Sequence, residues 1–328
     1  MGSNRKKIYF ENQPSLPFEE FGDIVASEAS KPEGSEKEHA VSAPLTTADG
    51  LGRLRFISFG SGSSGNSCFI GTDEGGIVVD AGIRADIIED ALRRNGIGMR
   101  HIKGLLLTHD HSDHVRYSYN LLRNNRHLSL YCTPRVLNGL LRRHSISRRI
   151  KEYHTPIFKE IPFKVAGLEI TAFEVPHDGS DNMGFSIDTG RERFVLATDL
   201  GIVADRARHY MAEANYLVIE SNYDDTMLRV GNYPEYLKAR IRAINGHLDN
   251  RDTAAFLAEI VNPRLRHIFL CHLSKDNNTP AKALEETRKA LERRGLKVGA
   301  GDNTLADRAS DIQLTALPRY EATRMYVF

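Results

Sequence analysis

A cluster of histidines and aspartates follows the apolar run Leu105–Leu107. Within six residues the chain places His109, His111, Asp113 and His114. The apolar run before the cluster and the amphipathic pattern after it predict a strand-to-helix loop, and a loop can direct all four side chains toward one point. Neutral imidazole and carboxylate are ligands of zinc, manganese or iron. The cluster therefore predicts a metal site at the end of a strand, with a plain polar surface loop as the alternative.

Three further candidate ligands also stand directly after apolar runs. They are His177 after Val175-Pro176, Asp199 after Leu196-Ala197-Thr198, and His272 after Phe269-Leu270-Cys271. Each run predicts a core strand, so the three side chains are expected at one rim of the sheets. A lone histidine at a strand end is more often an ordinary surface or core residue than a ligand. Three such residues beside the first cluster favour the metal interpretation.

The chain from Arg53 onward alternates β-branched or aromatic runs with amphipathic stretches. The runs predict strands at 53–59, 68–71, 76–79, 104–107, 128–131, 168–174, 183–188, 192–197, 216–219, 266–270 and 312–317. The amphipathic stretches predict helices at 84–94, 114–124, 134–143, 202–213, 234–245, 251–261 and 280–294. Thr279 and Pro280 form a cap and first turn for the last of these helices. Adjacent strands predict hairpins and mixed sheets covered by helices, in one α/β domain.

Composition indicates the domain bounds and the cellular compartment. Residues 1–50 are rich in Ser, Glu, Pro, Lys and Ala without periodicity, so they predict a flexible tail before a folded domain at 51–328. The 44 Lys and Arg residues nearly balance the 43 Asp and Glu residues, which excludes a generally polycationic nucleic-acid coat. Three cysteines without a CxxC motif argue against disulfides and thiolate zinc sites, and favour the reducing cytoplasm. No apolar run approaches the ~20 residues of a membrane span, so we expect no membrane association.

The order of the candidate ligands resembles the metallo-β-lactamase-fold hydrolases over about residues 53 to 328. The five signature positions are Asp80, the cluster His109 to His114, His177, Asp199 and His272. The resemblance implies an αββα sandwich, an α/β fold of two mixed β-sheets flanked by helices, as a catalytic domain. It also implies two divalent metal ions, zinc or manganese with iron as a further possibility.

The resemblance gives each signature residue a role. It implies two sets of ligands and one bridge: His109, His111 and His177 for the first metal, Asp113, His114 and His272 for the second, and Asp199 between them. Asp80 would accept a hydrogen bond from a ligand imidazole and fix its tautomer. An aspartate that closes a strand can alternatively cap the helix that begins near Arg84.

A closer resemblance is to the YycJ/WalJ-like branch, which is related to ribonuclease Z and ribonuclease J. Asp199 replaces the Cys of true β-lactamases and His111 replaces the Glu of flavin-linked diiron reductases, so those activities are disfavoured. The matching stretches are 59–67, 176–179, 219–224, 246–250 and 271–278. One departure is Asp249, where the branch usually has Ser. The resemblance implies a DNA exonuclease that degrades a duplex from its 5′ end.

A phosphodiester suits a pair of metal ions about 3.5–4 Å apart, because the pair can share a hydroxide nucleophile and neutralise phosphate charge. The leaving 3′-oxygen then needs a proton donor. We expect His247 to be this acid, oriented or charged by Glu220 at the end of an apolar strand; ribonuclease Z has a comparable Glu and His pair. With the ligand Asp113, these two complete the expected catalytic set. The alternative is that His247 is an ordinary exposed loop histidine.

Two polar stretches are candidate phosphate contacts. The Gly/Ser run 60–67 offers backbone N–H groups and polar side chains for a phosphate nest, although its glycines could simply permit a tight turn. The residues after His272 could grip a phosphate or lead into a helix. The candidates are Ser61, Ser63, Ser64, Asn66, Lys275, Asn277 and Asn278. No Walker lysine follows the glycines, so ATP binding is not supported.

Basic residues are concentrated in one segment, although the whole chain carries a net charge of only +1. Between residues 116 and 151 there are nine basic residues and no acidic ones: Arg116, Arg123, Arg126, Arg135, Arg142, Arg143, Arg148, Arg149 and Lys151. Such a segment beside a metal cleft would attract a polyanion, though solvated helix faces also carry arginine. Nucleic acid is therefore an expected partner, and the family resemblance implies DNA rather than RNA.

These observations favour a metal-dependent phosphodiesterase, a 5′-to-3′ DNA exonuclease that uses a hydroxide bound by a dinuclear metal site. A thioesterase or lactonase similar to glyoxalase II is the main alternative, because it would use the same seven ligands without His247 or a basic groove. A further alternative is a non-catalytic metal-bound module that regulates or binds nucleic acid. The sequence itself leaves open the native metal, DNA or RNA as substrate, exonuclease or endonuclease cleavage and its polarity, the oligomeric state and the role of residues 1–50.

Overall fold

The computed structural model describes residues 52–301, 307 and 309–328. The tail predicted at 1–50 lies outside these residues. The described chain forms two mixed β-sheets that face each other, with helices on their outer faces. The predicted α/β sandwich is therefore confirmed.

The first sheet has seven strands in the spatial order β15-β1-β2-β3-β4-β5-β6. Its strands are β1 (Arg55–Gly60), β2 (Ser67–Gly71), β3 (Gly76–Val79), β4 (Ile102–Leu106), β5 (Ser129–Cys132), β6 (His154–Pro156) and β15 (Tyr326–Val327). The pairs from β15 to β3 are antiparallel, and those from β3 to β6 are parallel. The parallel half brings the carboxyl ends of β3, β4 and β5 to one edge.

The second sheet has eight strands in the spatial order β13-β14-β12-β11-β10-β9-β8-β7. Its strands are β7 (Phe163–Val165), β8 (Leu168–Glu174), β9 (Met183–Asp188), β10 (Arg193–Ala197), β11 (Tyr216–Glu220), β12 (His267–Cys271), β13 (Val298–Gly299) and β14 (Ile312–Ala316). The pairs from β7 to β10 are antiparallel, and the remaining pairs are parallel. The ends of β10, β11 and β12 therefore also meet at one edge.

The helices cover both sheets. They are α1 (Ala85–Arg94), α2 (Ser112–Val115), α3 (Ser118–Asn124), α4 (Pro134–Arg143), α5 (Asp205–Ala212), α6 (Asp225–Val230), α7 (Glu235–Ile241), α8 (Asn250–Ile260) and α9 (Pro280–Glu292), with 3₁₀ turns at Met99–His101 and Arg148–Tyr153. Thr279 caps α9 by accepting the N–H of Lys282, and Pro280 occupies its first turn, as predicted. In the described part of the chain, every helix is too short or too polar to cross a bilayer.

Strand alternation divides the core into two layers. In β11, Tyr216 and Val218 belong to the cluster between the sheets, whereas Leu217 and Ile219 belong to the cluster under α8 and α9. A strand buried on both faces in this way reads as a continuous apolar run, which is why the sequence pattern identifies it. Between the sheets, the ring of Phe56 lies 5.0 Å from that of Phe194, which joins β1 to β10.

One predicted helix, at 114–124, is wrong: the chain forms α2 and α3 with a break between them. The break arises because the N–H of Tyr117 donates to the carbonyl of Ala81, 2.9 Å away, and the N–H of Ala81 donates to the carbonyl of His114, 2.8 Å away. These tertiary bonds replace the helical ladder at the break. The short elements β6, β7, β13, β15 and α6 were also missed, since each is too brief to show a period.

Three loops cross at Gly82, next to the histidine cluster. The N–H of Gly82 donates to the carbonyl of Asn66 (3.0 Å), and the N–H of Asn66 donates to the carbonyl of Asp113 (2.7 Å). A Cβ atom on Gly82 would lie only 1.6 Å from that Asp113 carbonyl oxygen. Position 82 therefore requires glycine, because any side chain would collide with the backbone of Asp113. Asp113 is itself a predicted metal ligand.

Gly82→Ala should destabilise the fold, because backbone atoms on two other loops would have to move. Overpacking of this kind costs about 1–3 kcal/mol, so we expect a loss of at least about 2 kcal/mol in the free energy of unfolding. Urea denaturation measures it. Gly98→Ala is the control: Gly98 has an extended backbone (φ −77°, ψ 148°), and its added Cβ would meet one atom, at 3.7 Å. Equal denaturation midpoints for the two variants would contradict the prediction.

Candidate metal centre

The predicted ligands gather at the edge where the strands of both sheets end. Asp80 follows β3, His109 follows β4, His177 follows β8, Asp199 follows β10, and His272 follows β12. Between β4 and α2 the chain runs as an irregular loop, so the side chains of the first cluster are free to converge. The fold thus brings residues from both sheets to one buried site.

The ligand atoms form two groups that share a carboxylate. Ligand atoms within 4.8 Å of one another occur in four sets among the described residues. Three of them contain only predicted ligands: His109, His111 and His177; Asp113, His114 and His272; and His109, His114 and Asp199. The fourth joins Asp199 and His272 to Glu220 and His247. The first two sets are those that the family resemblance implies for the two metals. The third joins them through Asp199, at the position expected of a bridge.

Asp199 lies at the centre of this arrangement and is 3% exposed. Its carboxylate oxygens lie 3.2 Å from His114 Nε2, 3.2 Å from His272 Nδ1 and 3.8 Å from His177 Nε2. Burial raises the pKa of Asp199, but His272 and His114 outweigh burial and lower it well below its usual value. The carboxylate is therefore charged, and a charge so deeply buried requires cations around it.

Asp80 orients two of the histidines. Its carboxylate accepts a hydrogen bond from His114 Nδ1 (2.7 Å) and another from the hydroxyl of Thr108 (2.9 Å). The Thr108 oxygen in turn lies 3.0 Å from His109 Nδ1. Both imidazoles thus place their proton on Nδ1 and turn the lone pair of Nε2 toward the site, as ligand histidines do. Oδ1 of Asp80 accepts the N–H of Thr108 (2.9 Å), so both carboxylate oxygens bind groups that follow β4 and neither binds the start of α1.

The other histidines are oriented in the same manner. His177 Nδ1 donates to the carbonyl of Gly246 (3.0 Å), and His272 Nδ1 donates to Glu220 Oε1 (2.8 Å), which directs both Nε2 atoms toward the other predicted ligands. His111 is reversed: its Nε2 lies 3.2 Å from Asp178, and its Nδ1 faces His177 Nε2 at 3.3 Å. The lone pairs of His111 Nδ1 and His177 Nε2 therefore face each other with no proton between them. A bound cation would give both lone pairs a partner.

The charges of the site also suit cations. Burial holds the pKa of His177 at about 4 and that of His109 well below its usual value, so these imidazoles are neutral donors. At His272, burial lowers the pKa, but Asp199 and then Asp113 and Glu220 raise it to about 10. The raised pKa of His272 shows that the three carboxylates outweigh burial there, so this part of the site favours bound positive charge.

The donor set therefore fits divalent metal ions. Nε2 of His109, Nε2 of His272 and Oδ2 of Asp199 are buried and, within the described chain, form no hydrogen bond. The groups are all nitrogen and oxygen donors, as zinc, manganese or iron accept. Cys271 is next to His272, but its thiol is buried among apolar residues between the sheets, and burial raises its pKa well above the usual value.

Glu220 and His247 lie in contact beside the metal ligands. His247 Nδ1 donates to Glu220 Oε1 at 2.7 Å, and the imidazole is 20% exposed while the carboxylate is fully buried. Glu220 Oε2 accepts the backbone N–H groups of Leu200 and Leu248, each at 3.1 Å. Burial raises the pKa of Glu220, yet His247 and His272 bring it down to about 2. Burial lowers the pKa of His247, but Glu220 outweighs burial and raises it.

The predicted phosphate contacts divide into two groups. Ser61 accepts the N–H of His272 (2.9 Å), and Asn278 donates to the carbonyls of Ser221 (2.8 Å) and Asn222 (2.9 Å), so both hold loops instead of facing solvent. Asn66 lies 3.1 Å from Asp113 Oδ2 and 2.9 Å from His114 Nε2, and Asn277 is 1% exposed. The contacts of Ser61, Asn66 and Asn278 do not fit direct phosphate binding, and Asn277 is buried with neither amide atom hydrogen-bonded in the described chain. Ser63, Ser64 and Lys275 are exposed and stay candidates.

Two acidic residues at the site escaped the sequence analysis. The carboxylate of Asp178 lies between two groups: its Oδ1 is 3.2 Å from His111 Nε2, and its Oδ2 is 2.7 Å from Arg240 Nη2. Asp110 is fully buried and accepts the hydroxyl of Ser180 at 2.7 Å, which fixes the loop after His177 to the first cluster. Both stand next to predicted ligands in sequence, and that adjacency was the available signal. Their roles depend on contacts across the fold, which a local pattern does not reveal.

The basic segment reaches the site at the carboxyl end of α4. Arg143 lies 3.6 Å from Asp110, and Arg142 donates to Ser180 at 3.3 Å. His144 Nε2 lies 2.6 Å from the backbone carbonyl of Asp110. Two of the nine basic residues thus border the metal centre.

Comparisons with known proteins agree with this geometry. Residues 76–272 match the Beta-lactamase superfamily domain. The chain is 34% identical to exodeoxyribonuclease YycJ of Bacillus anthracis over 247 residues, which are 75% of this chain and 92% of that protein. It is 31% identical to exodeoxyribonuclease WalJ of Streptococcus pneumoniae (strain D39), covering 82% of this chain and 98% of that protein.

A solved structure shares the fold. The metallo-β-lactamase fold protein YhfI of Bacillus subtilis superposes with a TM-score of 0.61 at 12% identity, covering 84% of this chain and all of that one. Together with the sequence matches, this superposition confirms the expected fold. The chain therefore belongs to the beta-lactamase superfamily, in the branch that includes YycJ and WalJ, and is a hydrolase of the metallo-β-lactamase fold.

Proposed function

We propose that this protein is a metal-dependent DNA exonuclease that hydrolyses phosphodiester bonds from the 5′ end of a duplex. Two relatives at 31% and 34% identity are named exodeoxyribonucleases, and the chain spans almost their full length. The observation that carries the proposal is the contact between His247 and Glu220 beside the predicted ligands. Ester substrates with good leaving groups do not need such an acid, whereas a 3′-alkoxide does.

The predicted ligands would hold two divalent cations, through His109, His111 and His177 on one side and Asp113, His114 and His272 on the other, with Asp199 between them. When bound, such cations supply charge neutralisation to the phosphate and lower the pKa of attacking water. Zinc and manganese both suit these donors. The protein's own contribution is to hold each donor in one tautomer through Asp80, Thr108, Gly246 and Glu220.

His247 would donate its proton to the leaving oxygen. Glu220 holds Nδ1 of the imidazole, so the partly exposed face of the ring carries the proton at Nε2. Because Glu220 is fully buried and raises the pKa of His247, the imidazolium stays available as an acid near neutral pH. The carboxylate itself is fixed by two backbone N–H groups, so it does not move when the proton leaves.

Asp199→Ala should remove metal from the protein, because both sets of ligands depend on this carboxylate. Elemental analysis of protein loaded with zinc or manganese should fall from about two ions per chain to one or fewer. Asp86→Ala is the control, since Asp86 is an exposed partner of Arg84 in α1. Equal metal content in the two variants would contradict the assignment of Asp199.

The substrate class is tested with a panel. Protein loaded with manganese or zinc should degrade linear 5′-phosphorylated duplex DNA, leave covalently closed circular DNA intact, and act weakly on RNA. A thioester and a lactone substrate complete the panel. Cleavage of the circle would indicate an endonuclease, and preference for the thioester would favour an activity similar to glyoxalase II.

His247→Ala should reduce cleavage of DNA by about 10²- to 10⁴-fold, the usual contribution of a general acid. Hydrolysis of bis(p-nitrophenyl) phosphate should fall far less, because nitrophenolate leaves without a proton. Metal content should match that of the unmodified protein. His209→Ala, which alters an exposed histidine of α5, is the control. Equal losses on both substrates would remove His247 from the role of acid.

A further inference from the structure

We propose that Arg319 and Tyr320 form a nucleic-acid subsite at the rim of the metal centre, on the side of Asp113, His114 and His272. The guanidinium would bind a backbone phosphate, and the phenol ring would stack on a base. This inference rests on the proposed function, because it names the surface that holds the substrate strand.

The segment that carries the pair is fixed beside a predicted ligand. The carbonyl of Pro318 accepts the N–H of Ser61 (3.1 Å), and the N–H of Thr323 donates to the carbonyl of Ser58 (2.8 Å). The hydroxyl of the same Ser61 accepts the N–H of His272 (2.9 Å). One short network therefore joins this segment, the Gly/Ser loop and the metal ligand, so the position of the pair relative to the site is defined.

Arg319 forms no direct ion pair within the described chain, although the carboxylate of Asp276 lies close enough to act on its charge. Its guanidinium donates to the carbonyl of Leu273, and a Cβ atom on Gly62 would lie 2.5 Å from its Nη1. A nearby carboxylate, Asp276, accepts the hydroxyl of Tyr233 at 2.9 Å and makes no ion pair with Arg319 within the described residues. A partly buried guanidinium that is bonded to a neutral carbonyl favours an external anion, and its planar donors match phosphate.

Two of the three arginines that border the first set of ligands differ in this respect, and the third, Arg142, donates to the hydroxyl of Ser180. Arg240 lies 2.7 Å from Asp178, and Arg143 lies 3.6 Å from Asp110. Their charges are largely compensated within the protein. Arg319 is therefore a stronger candidate than Arg240 and Arg143 for a substrate phosphate, and its contact with Leu273 places it next to His272 of the second set.

Tyr320 supplies the complementary apolar surface. The side chain is 64% exposed, which is unusual for a large aromatic residue, and the Arg319 guanidinium lies 5.8 Å from the ring centroid. A ring supported on one side by an arginine is a suitable platform for a base, because every base has a face that can stack. The exposed candidates Ser63 and Ser64 follow Gly62, and Lys275 follows Leu273 by two residues, so all three are close in sequence to residues that Arg319 contacts.

The subsite is tested with metal-loaded full-length protein and a fluorescently labelled single-stranded DNA 12-mer, with binding measured by fluorescence anisotropy from 50 to 200 mM KCl. Arg319→Ala should weaken binding and lower the slope of log K against log[KCl] by about 0.7, the value for one phosphate contact on a single strand. Tyr320→Ala should weaken binding about tenfold at every salt concentration, and Tyr320→Phe should restore it. Arg264→Ala, which removes an exposed charge from the loop before β12, should retain the unmodified slope.

Three results would overturn the subsite. Arg319→Ala could bind DNA with the unmodified slope, Tyr320→Ala could bind as tightly as Tyr320→Phe, or Arg319→Ala could lose metal, which would make Arg319 a support for His272 instead. Because Tyr320 is exposed, its variants test the surface without that complication. If the unmodified protein cleaves DNA and the Arg319 and Tyr320 variants bind DNA as it does, only the subsite proposal is wrong. If the unmodified protein neither binds nor cleaves DNA, the proposed function fails with it.

Discussion

The structure depends on the burial of the Asp199 carboxylate among histidines. Its oxygens lie within 4.0 Å of four imidazoles, from His114, His177, His247 and His272. A charge removed from water at this depth is costly unless cations surround it. Every nearby imidazole is itself oriented by an outer acceptor, so the site cannot relax around the charge by turning a ring. The arrangement is stable only with bound positive charge, as protons or as metal ions.

The same constraint accounts for the loops around the site. Asp80, Gly82 and Asn66 form one backbone and side-chain network beneath Asp113 and His114. Asp80 and His272 both have positive φ angles, 59° and 51°, a conformation that is costly for residues other than glycine. Each is held there by hydrogen bonds to a neighbouring strand end or loop, which fits the view that strain collects at functional sites.

Glu220 links two functions that could otherwise be separate. One oxygen, Oε1, accepts from both His272 (2.8 Å) and His247 (2.7 Å), while Oε2 accepts two backbone N–H groups. A predicted metal ligand and a candidate acid are thus oriented by one carboxylate. Loss of Glu220 would disturb both, so the separate substitution of His247 is the informative one.

The sequence alone predicted the candidate donors and an α/β domain with mixed sheets. The cluster from His109 to His114 is local in the chain, and the other candidates follow apolar strands, so period and spacing pointed to them. The αββα arrangement came from the family resemblance. Only the tertiary structure decided features that depend on contacts between distant residues. These are the nitrogen that each histidine directs toward the site, the contact between Glu220 and His247, which are 27 positions apart, and the break between α2 and α3. It also showed that Ser61 and Asn278 hold loops, and that Arg319 donates to the carbonyl of Leu273, next to His272. The physical reason is that hydrogen-bond partners across a fold are set by packing, which leaves no periodic trace in the sequence.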